Sequence, residues 1–315
     1  MANRIVVALG GNALQENPKD ISAKAQLKTA KKTARSIVDL IEEGHEVVIV
    51  HGNGPQVGQI VSVYEKALDI PNMPFPECGA MSQGYIGYHL QQTIREEMIK
   101  RGIYKEITAM ITQVVVSNND SAFTKPSKPV GSFFTEEEAI KLEKLYGYTM
   151  KEDAGRGWRR VVPSPEPIDI VESQTLKVLV DSNFVVITAG GGGIPVVKRN
   201  DGNLEGVSAV IDKDFAAELV GEIIDADMLI ILTAVEKVCI DFNKSTEKGL
   251  DMITIEEAER YIEEGQFAPG SMLPKVKAAV KFVKSKKGRK AIITSLDKAK
   301  ECIIGEIGTK IQNDF

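Results

Sequence analysis

Short apolar runs recur along the chain, separated by longer stretches of helical pattern. The runs are residues 5–9 (IVVAL), 47–50 (VVIV), 185–189 (VVITA), 228–232 (MLIIL) and 291–294 (AIIT). Unbroken apolarity over four or five positions predicts strands covered on both faces. The β-branched stretch 107–116 predicts one long strand. Between the runs, residues 22–43 predict a long helix stopped at Gly44, and helical sequence fills most of the way from Gly58 to Gly102. Such alternation predicts an α/β fold: a mostly parallel sheet with helices on both faces.

One stretch breaks the rhythm. Residues 121–169 carry Pro126, Pro129, Pro163, Pro165 and Pro167, a Gly-Arg-Gly-Trp segment at 155–158 and a charged helical pattern over 135–145. Prolines do not suit a central strand. The stretch reads as an insertion projecting from the sheet edge within a single domain of residues 1–315. The basic run 284–290 reads as a solvated helix end.

Composition narrows the classes. The net charge of −5 argues against a general nucleic-acid binder. No apolar run approaches the roughly 20 residues that span a bilayer, and no signal-peptide pattern opens the chain. Cys78, Cys239 and Cys302 are odd in number and far apart, which fits reduced thiols in the cytoplasm.

Candidate chemistry sits where the runs end. Residues 5–9 lead into Gly10-Gly11-Asn12-Ala13, residues 47–50 into His51-Gly52-Asn53-Gly54-Pro55-Gln56-Val57-Gly58, and residues 185–189 into four glycines, Gly190 to Gly193. Ligands of open parallel sheets bind at strand ends. Glycine turns bring backbone N–H groups close to an anion, and a following helix adds its N-terminus. The dinucleotide fingerprint is broken by Val57, and no Gly-Lys dipeptide exists for a Walker A loop. A dehydrogenase is therefore disfavoured, and a less common phosphate site is expected.

Asp212-Lys213-Asp214 opens a helical stretch. Either aspartate could be a simple N-cap, or a carboxylate could hold lysines that neutralise a transferring phosphoryl group. In Gly270-Ser271-Met272-Leu273-Pro274-Lys275, the lysine falls in a first helical turn, against the macrodipole. A bound anion would explain it; so would an ordinary surface lysine. His45, His51 and His89 stand apart, with no metal-ligand spacing, so no metal ligand is assigned. No Gly-x-Ser-x-Gly nucleophile elbow occurs. Phosphate cradles and lysines without a covalent nucleophile suit direct phosphoryl transfer.

These motifs, with Val210-Ile211-Asp212-Lys213-Asp214, occur in an order that closely resembles the carbamate kinases of the amino acid kinase family, over essentially the whole chain. The resemblance implies a three-layer αβα sandwich with a protruding lid-like subdomain at 121–169, and a homodimer. It implies reversible transfer between ATP and carbamate, giving ADP and carbamoyl phosphate, with Mg2+, commonly run toward ATP in arginine fermentation. By resemblance, Gly10, Gly11 and Asn12 contact the transferred phosphoryl group, with Gly190 and Gly191 also on phosphate or substrate. Gly52 and Asn53 hold carbamate, Lys213 and Lys275 stabilise the charge, and Asp214 orients the lysines. Thr233, Ala234, Val235, Val238 and Met272 are expected on the nucleotide side. Acylphosphate-forming members usually carry lysine two residues before the Gly-Gly pair, where this chain has Ala8; Lys128 is the candidate replacement. Two other readings stay open. One is a kinase for a larger carboxylate such as acetylglutamate or glutamate. The other is a nucleotide-sensing module without catalysis.

Overall fold

Side chains of the strand Arg4–Leu9 alternate between two separate apolar cores. Ile5, Val7 and Leu9 belong to one, Val6 and Ala8 to the other, and all five are fully buried. Pleating sends successive residues to opposite faces, so a strand buried on both faces must be apolar throughout. The computed structural model describes residues 2–17, 20–67, 69–153, 155–303 and 307–313, with residue 12 described by its backbone alone.

The main sheet has eight strands in the spatial order Met252–Thr254, Thr309–Gln312, Lys290–Ser295, Met228–Thr233, Arg4–Leu9, Glu46–His51, Val185–Thr188 and Ile107–Ala109. All neighbours pair parallel except Lys290–Ser295 with Thr309–Gln312. Helices Ala23–Glu42 and Phe75–Lys100 pack Ile37, Ile86, Leu90 and Ile94 into one core. Helices Lys213–Ile223 and Met272–Ser285 pack Ala216, Val220, Val276 and Phe282 into the other. The result is helix, sheet, helix in three layers.

The stretch 107–116 is two strands, not one. Ile107–Ala109 ends the main sheet, and Gln113–Val116 enters a four-stranded sheet with Ile194–Lys198, Leu204–Gly206 and Pro167–Ile170. The crossing is stabilised by Gln83, whose Oε1 accepts from Thr112 N at 2.9 Å and whose Nε2 donates to Thr112 O at 3.1 Å. A β-branched run carries no sign of such a switch. The basic run 284–290 is only partly solvated. Arg289 is buried, stacked on Phe282 and bonded to Asp225 and the Ala226 carbonyl.

Within residues 121–169, strands Lys128–Phe134, Trp158–Val162 and Thr149–Glu152 form a separate small sheet with the helix Glu136–Tyr146. That helix opens with a Thr135/Glu138 capping box and closes on Gly147 in the left-handed region. Pro167–Ile170 pairs instead with Gln113–Val116. Val130 and Val162 pack on Val57 and Val61 of the helix Gly54–Lys66, which ties the small sheet to the body of the molecule.

Candidate active site

Three helices begin at one cavity of about 180 Å³. Gly54 starts the first, Lys213 the second with Asp212 as its cap, and Met272 the third, just after Ser271. Helix N-termini carry partial positive charge, so their convergence favours an anion between them. Gly52, Asn53, Lys128, Gly191, Lys213, Asp214 and Lys275 all line this cavity.

At its centre Asp214 holds two lysines. Lys213 Nζ donates to Asp214 Oδ1 at 2.6 Å, and Lys275 Nζ donates to Oδ2 at 3.1 Å. Lys275 Nζ also reaches the Ser271 carbonyl at 3.3 Å. Asp214 is 1% exposed. Burial by itself would push its carboxyl up, but the two ammonium groups reverse that and hold it below the ordinary carboxylate range. The geometry separates the two aspartates: Asp212 caps the helix, its Oδ1 accepting from the Asp214 N–H, while Asp214 accepts from both lysines.

Two further cavities continue from the first. Gly10, Gly11, Lys213, Lys275, Thr233 and Ala234 line the second. Thr233 and Ala234 also line the third, of about 400 Å³, together with Val235, Phe242, Phe267 and Met272. Lys213 and Lys275 thus stand on the wall between an acceptor-sized space and a phosphate-sized one, and a larger, more apolar space lies beyond. The order fits a small acceptor, a phosphate chain and a nucleobase.

The glycine turn at 190–193 supports the first cavity. Gly191, Gly192 and Gly193 all have φ between +69° and +91°. A Cβ on Gly191 would lie inside the Asn53 carboxamide, and one on Gly192 against the Ile211 carbonyl. Asn53 is fixed by donating Nδ2 to Ser82 Oγ at 2.8 Å. His51 is buried behind the turn, with Nδ1 2.9 Å from the Gly52 carbonyl. Burial brings its pKa down to about 4, so the ring is neutral at ordinary pH.

Two expected residues sit elsewhere. Gly190 is behind the cavity, against His51, and its carbonyl accepts from Gln83 Nε2 at 3.0 Å. Val238 is fully buried in the core, its N–H bonded to Thr309 Oγ1, while Lys237 and Cys239 on either side line the third cavity. Strand alternation turns Val238 inward. The Asn12 side chain lies outside the described residues. Sequence reasoning gave no role to Ser271, which lines both end cavities, or to Phe242 in the third. For Phe242 the signal was an aromatic inside an Asp-Phe-Asn turn.

Ala8 is fully buried in a core, so the position where a lysine was missing faces apolar side chains. Lys128 does enter the cavity, donating Nζ to Asp212 Oδ2 at 2.7 Å. Among the described residues no three His, Cys, Asp or Glu side chains gather to hold a metal ion.

Comparison with known proteins gives the family. The model of the amino acid kinase family matches residues 3–295. A carbamate kinase of Clostridium perfringens is 62% identical, over 98% of this chain and 99% of its own. The Escherichia coli carbamate kinase-like protein YqeA is 57% identical over 99% of both chains. The solved structure of Giardia lamblia carbamate kinase bound to AMP-PNP superposes with a TM-score of 0.93, at 42% identity and 99% coverage of both chains.

Proposed function

We infer that this chain, which belongs to the amino acid kinase family, catalyses reversible phosphoryl transfer between ATP and carbamate, giving ADP and carbamoyl phosphate. The observation that carries the reading is the Lys213–Asp214–Lys275 group on the wall shared by the acceptor and phosphate cavities. Transfer of a phosphoryl group spreads negative charge over its oxygens, and catalysis is mostly positioning and charge stabilisation. Two ammonium groups held by one buried carboxylate meet that charge with no rearrangement at the moment of reaction.

Roles follow from position. Gly10 and Gly11 offer backbone N–H groups to the moving phosphoryl group, with the Asn12 backbone in the same turn. Gly52, Asn53 and Gly191 seat the acceptor. Thr233, Ala234, Val235 and Met272 take the nucleoside end. Residues 121–169 act as a lid over the acceptor that keeps Lys128 in the cavity, supplying the charge that Ala8 does not. Carbamate has no side chain to accommodate, and the acceptor cavity of about 180 Å³ has ample room for it.

Magnesium would arrive on the nucleotide phosphates, its ordinary mode; the described residues gather no cage of their own for it. A homodimer is supported by the apolar side chains of Tyr88 and Ile111, which are exposed beside the edge strand Ile107–Ala109. No helix among the described residues is long and apolar enough to cross a membrane. Work in the cytoplasm and a place in arginine fermentation belong to the same reading and rest on the resemblance alone.

The test is ATP formation from ADP. Purified protein should make ATP with carbamoyl phosphate and not with acetylglutamyl phosphate or without an acyl phosphate. Equal rates with both acyl phosphates would refute the carbamate assignment. No ATP from either would refute the enzyme reading.

A further inference from the structure

A helix cap needs only one acceptor oxygen, yet Asp212 uses two. Its Oδ1 accepts from the Asp214 N–H at 2.9 Å, and its Oδ2 accepts from Lys128 Nζ at 2.7 Å, 84 residues away in sequence. Serine, threonine and asparagine cap helices about as well as aspartate. Only a carboxylate adds a second, charged acceptor. Both Asp212 and Lys128 line the acceptor cavity, and the Asp212 side chain is largely buried while Lys128 is about one-third exposed.

We propose that Asp212 is a positioning residue: a latch that couples the inserted segment to the helix carrying Lys213 and Asp214. The proposal rests on the reading that Lys128 acts at the acceptor. One oxygen fixes the first turn of the Lys213–Ile223 helix, and with it the Lys213–Asp214 pair. The other holds the ammonium of the strand Lys128–Phe134 within that same cavity. A shift of the inserted strand is therefore felt at the cap, and the cap fixes where Lys128 waits. When an acyl phosphate enters, the Lys128 ammonium needs to move only from the carboxylate to an adjacent phosphate oxygen, and the strand itself stays seated. Pre-placement of this kind removes a conformational search from each turnover.

Asp212→Asn isolates the latch, because asparagine keeps the cap oxygen and loses the charge. In the unliganded protein, hydrogen exchange of the amides of residues 130–134 should rise about five-fold, equivalent to ~1 kcal/mol, the scale of one partly exposed ion pair. The unfolding midpoint should stay within about 2 °C, on the scale by which ~1 kcal/mol shifts a domain of this size. In a Lys128→Ala background the same substitution should add nothing to exchange. Turnover of carbamoyl phosphate by Asp212→Asn should fall about ten-fold, with KM for ADP within two-fold. Unchanged exchange, an equal rise in the Lys128→Ala background, or wild-type turnover would overturn the latch. If the wild-type protein makes no ATP from carbamoyl phosphate, the functional reading fails, and the exchange cycle still decides the latch.

Discussion

Gly58 and Gly131 meet backbone to backbone: a Cβ on Gly58 would stand 3.1 Å from Gly131 Cα and 3.2 Å from its nitrogen. Gly58 lies on the helix that starts at the acceptor cavity, and Gly131 lies three residues beyond Lys128. The approach sets how close the inserted strand sits. Gly58→Ala should push that strand outward by a few tenths of an ångström. Efficiency with carbamoyl phosphate should fall about ten-fold, the scale on which small misplacements act, while KM for ADP holds. A matching loss for both substrates in steady-state assays would instead mean that the whole fold had loosened.

Lys275→Ala should lower turnover by roughly 10²-fold, the scale of one preorganised charge stabiliser. Lys213 still pairs with Asp214 in that variant, so the unfolding midpoint should move little. Asp214→Asn should keep the fold and ADP binding and lose turnover, since both ammonium groups lose their shared negative charge and one of them its acceptor oxygen. Single-turnover kinetics beside calorimetry separates the two effects; normal turnover in a folded variant would remove the residue from the mechanism.

Two buried groups give stability opposite dependences on pH. His51 has its pKa lowered from 6.5 to about 4 by burial. Between those values the unfolded chain takes up a proton that the folded chain refuses. Its contribution is present above 6.5 and is lost as pH falls toward 4, by roughly 3 kcal/mol in total. Glu218 is raised from 4.5 to about 8, by burial first and then by a bond to Glu222, against the pull of Lys281. The folded chain keeps a proton that the unfolded chain releases, so this contribution is present below 4.5 and is lost as pH rises through 8. His51→Gln should leave a stability that only declines from pH 5 to 8. Glu218→Gln should leave one that rises to about 6.5 and then levels. Urea unfolding across pH reads both slopes, and parallel curves for the two variants would contradict the assignment.

Gly191→Ala places a methyl group inside the Asn53 carboxamide at a residue with φ of +69°. Left-handed strain alone costs about 1–3 kcal/mol, and displacing Asn53 breaks its bond to Ser82 as well. Thermal unfolding should occur several degrees lower, with binding of carbamoyl phosphate lost before that of ADP. Unchanged acyl phosphate binding would take Asn53 off the acceptor.

Much of this site could be read from residue order. Strands buried on both faces announce themselves as unbroken apolar runs, and the turns that end them carry Gly10, Gly52 and Gly191 to one place because parallel strands end on the same side of a sheet. The pairing of Asp214 with Lys275 spans 61 residues, and the helix starts at 213 and 272 pointed to it only because a lysine in a first turn is electrostatically out of place. What stayed hidden depends on direction, not on identity. Gly190 and Val238 each have a neighbour facing a cavity, and a rotation of one residue along the chain decides which of them faces it. The switch of sheets at 110–112 is set by Gln83 on a distant helix, which no local pattern of β-branched residues reports. Lys128 was legible as a needed charge, whereas its resting partner Asp212 was not, since capping already accounted for that carboxylate.

The pairing of every lysine in the acceptor cavity with a carboxylate has a consequence for what the protein ignores. Lys213 and Lys275 share Asp214, and Lys128 has Asp212. The protein thus carries its own resident counterions, built into one helix start. A stray inorganic anion from solution finds cations that are already screened, and gains little unless it can also reach the backbone groups of Gly10 and Gly11 and the seat at Asn53. Discrimination against bulk phosphate and sulfate then comes from occupancy by the protein itself, so inhibition by such salts should be weak even though three ammonium groups line the entrance.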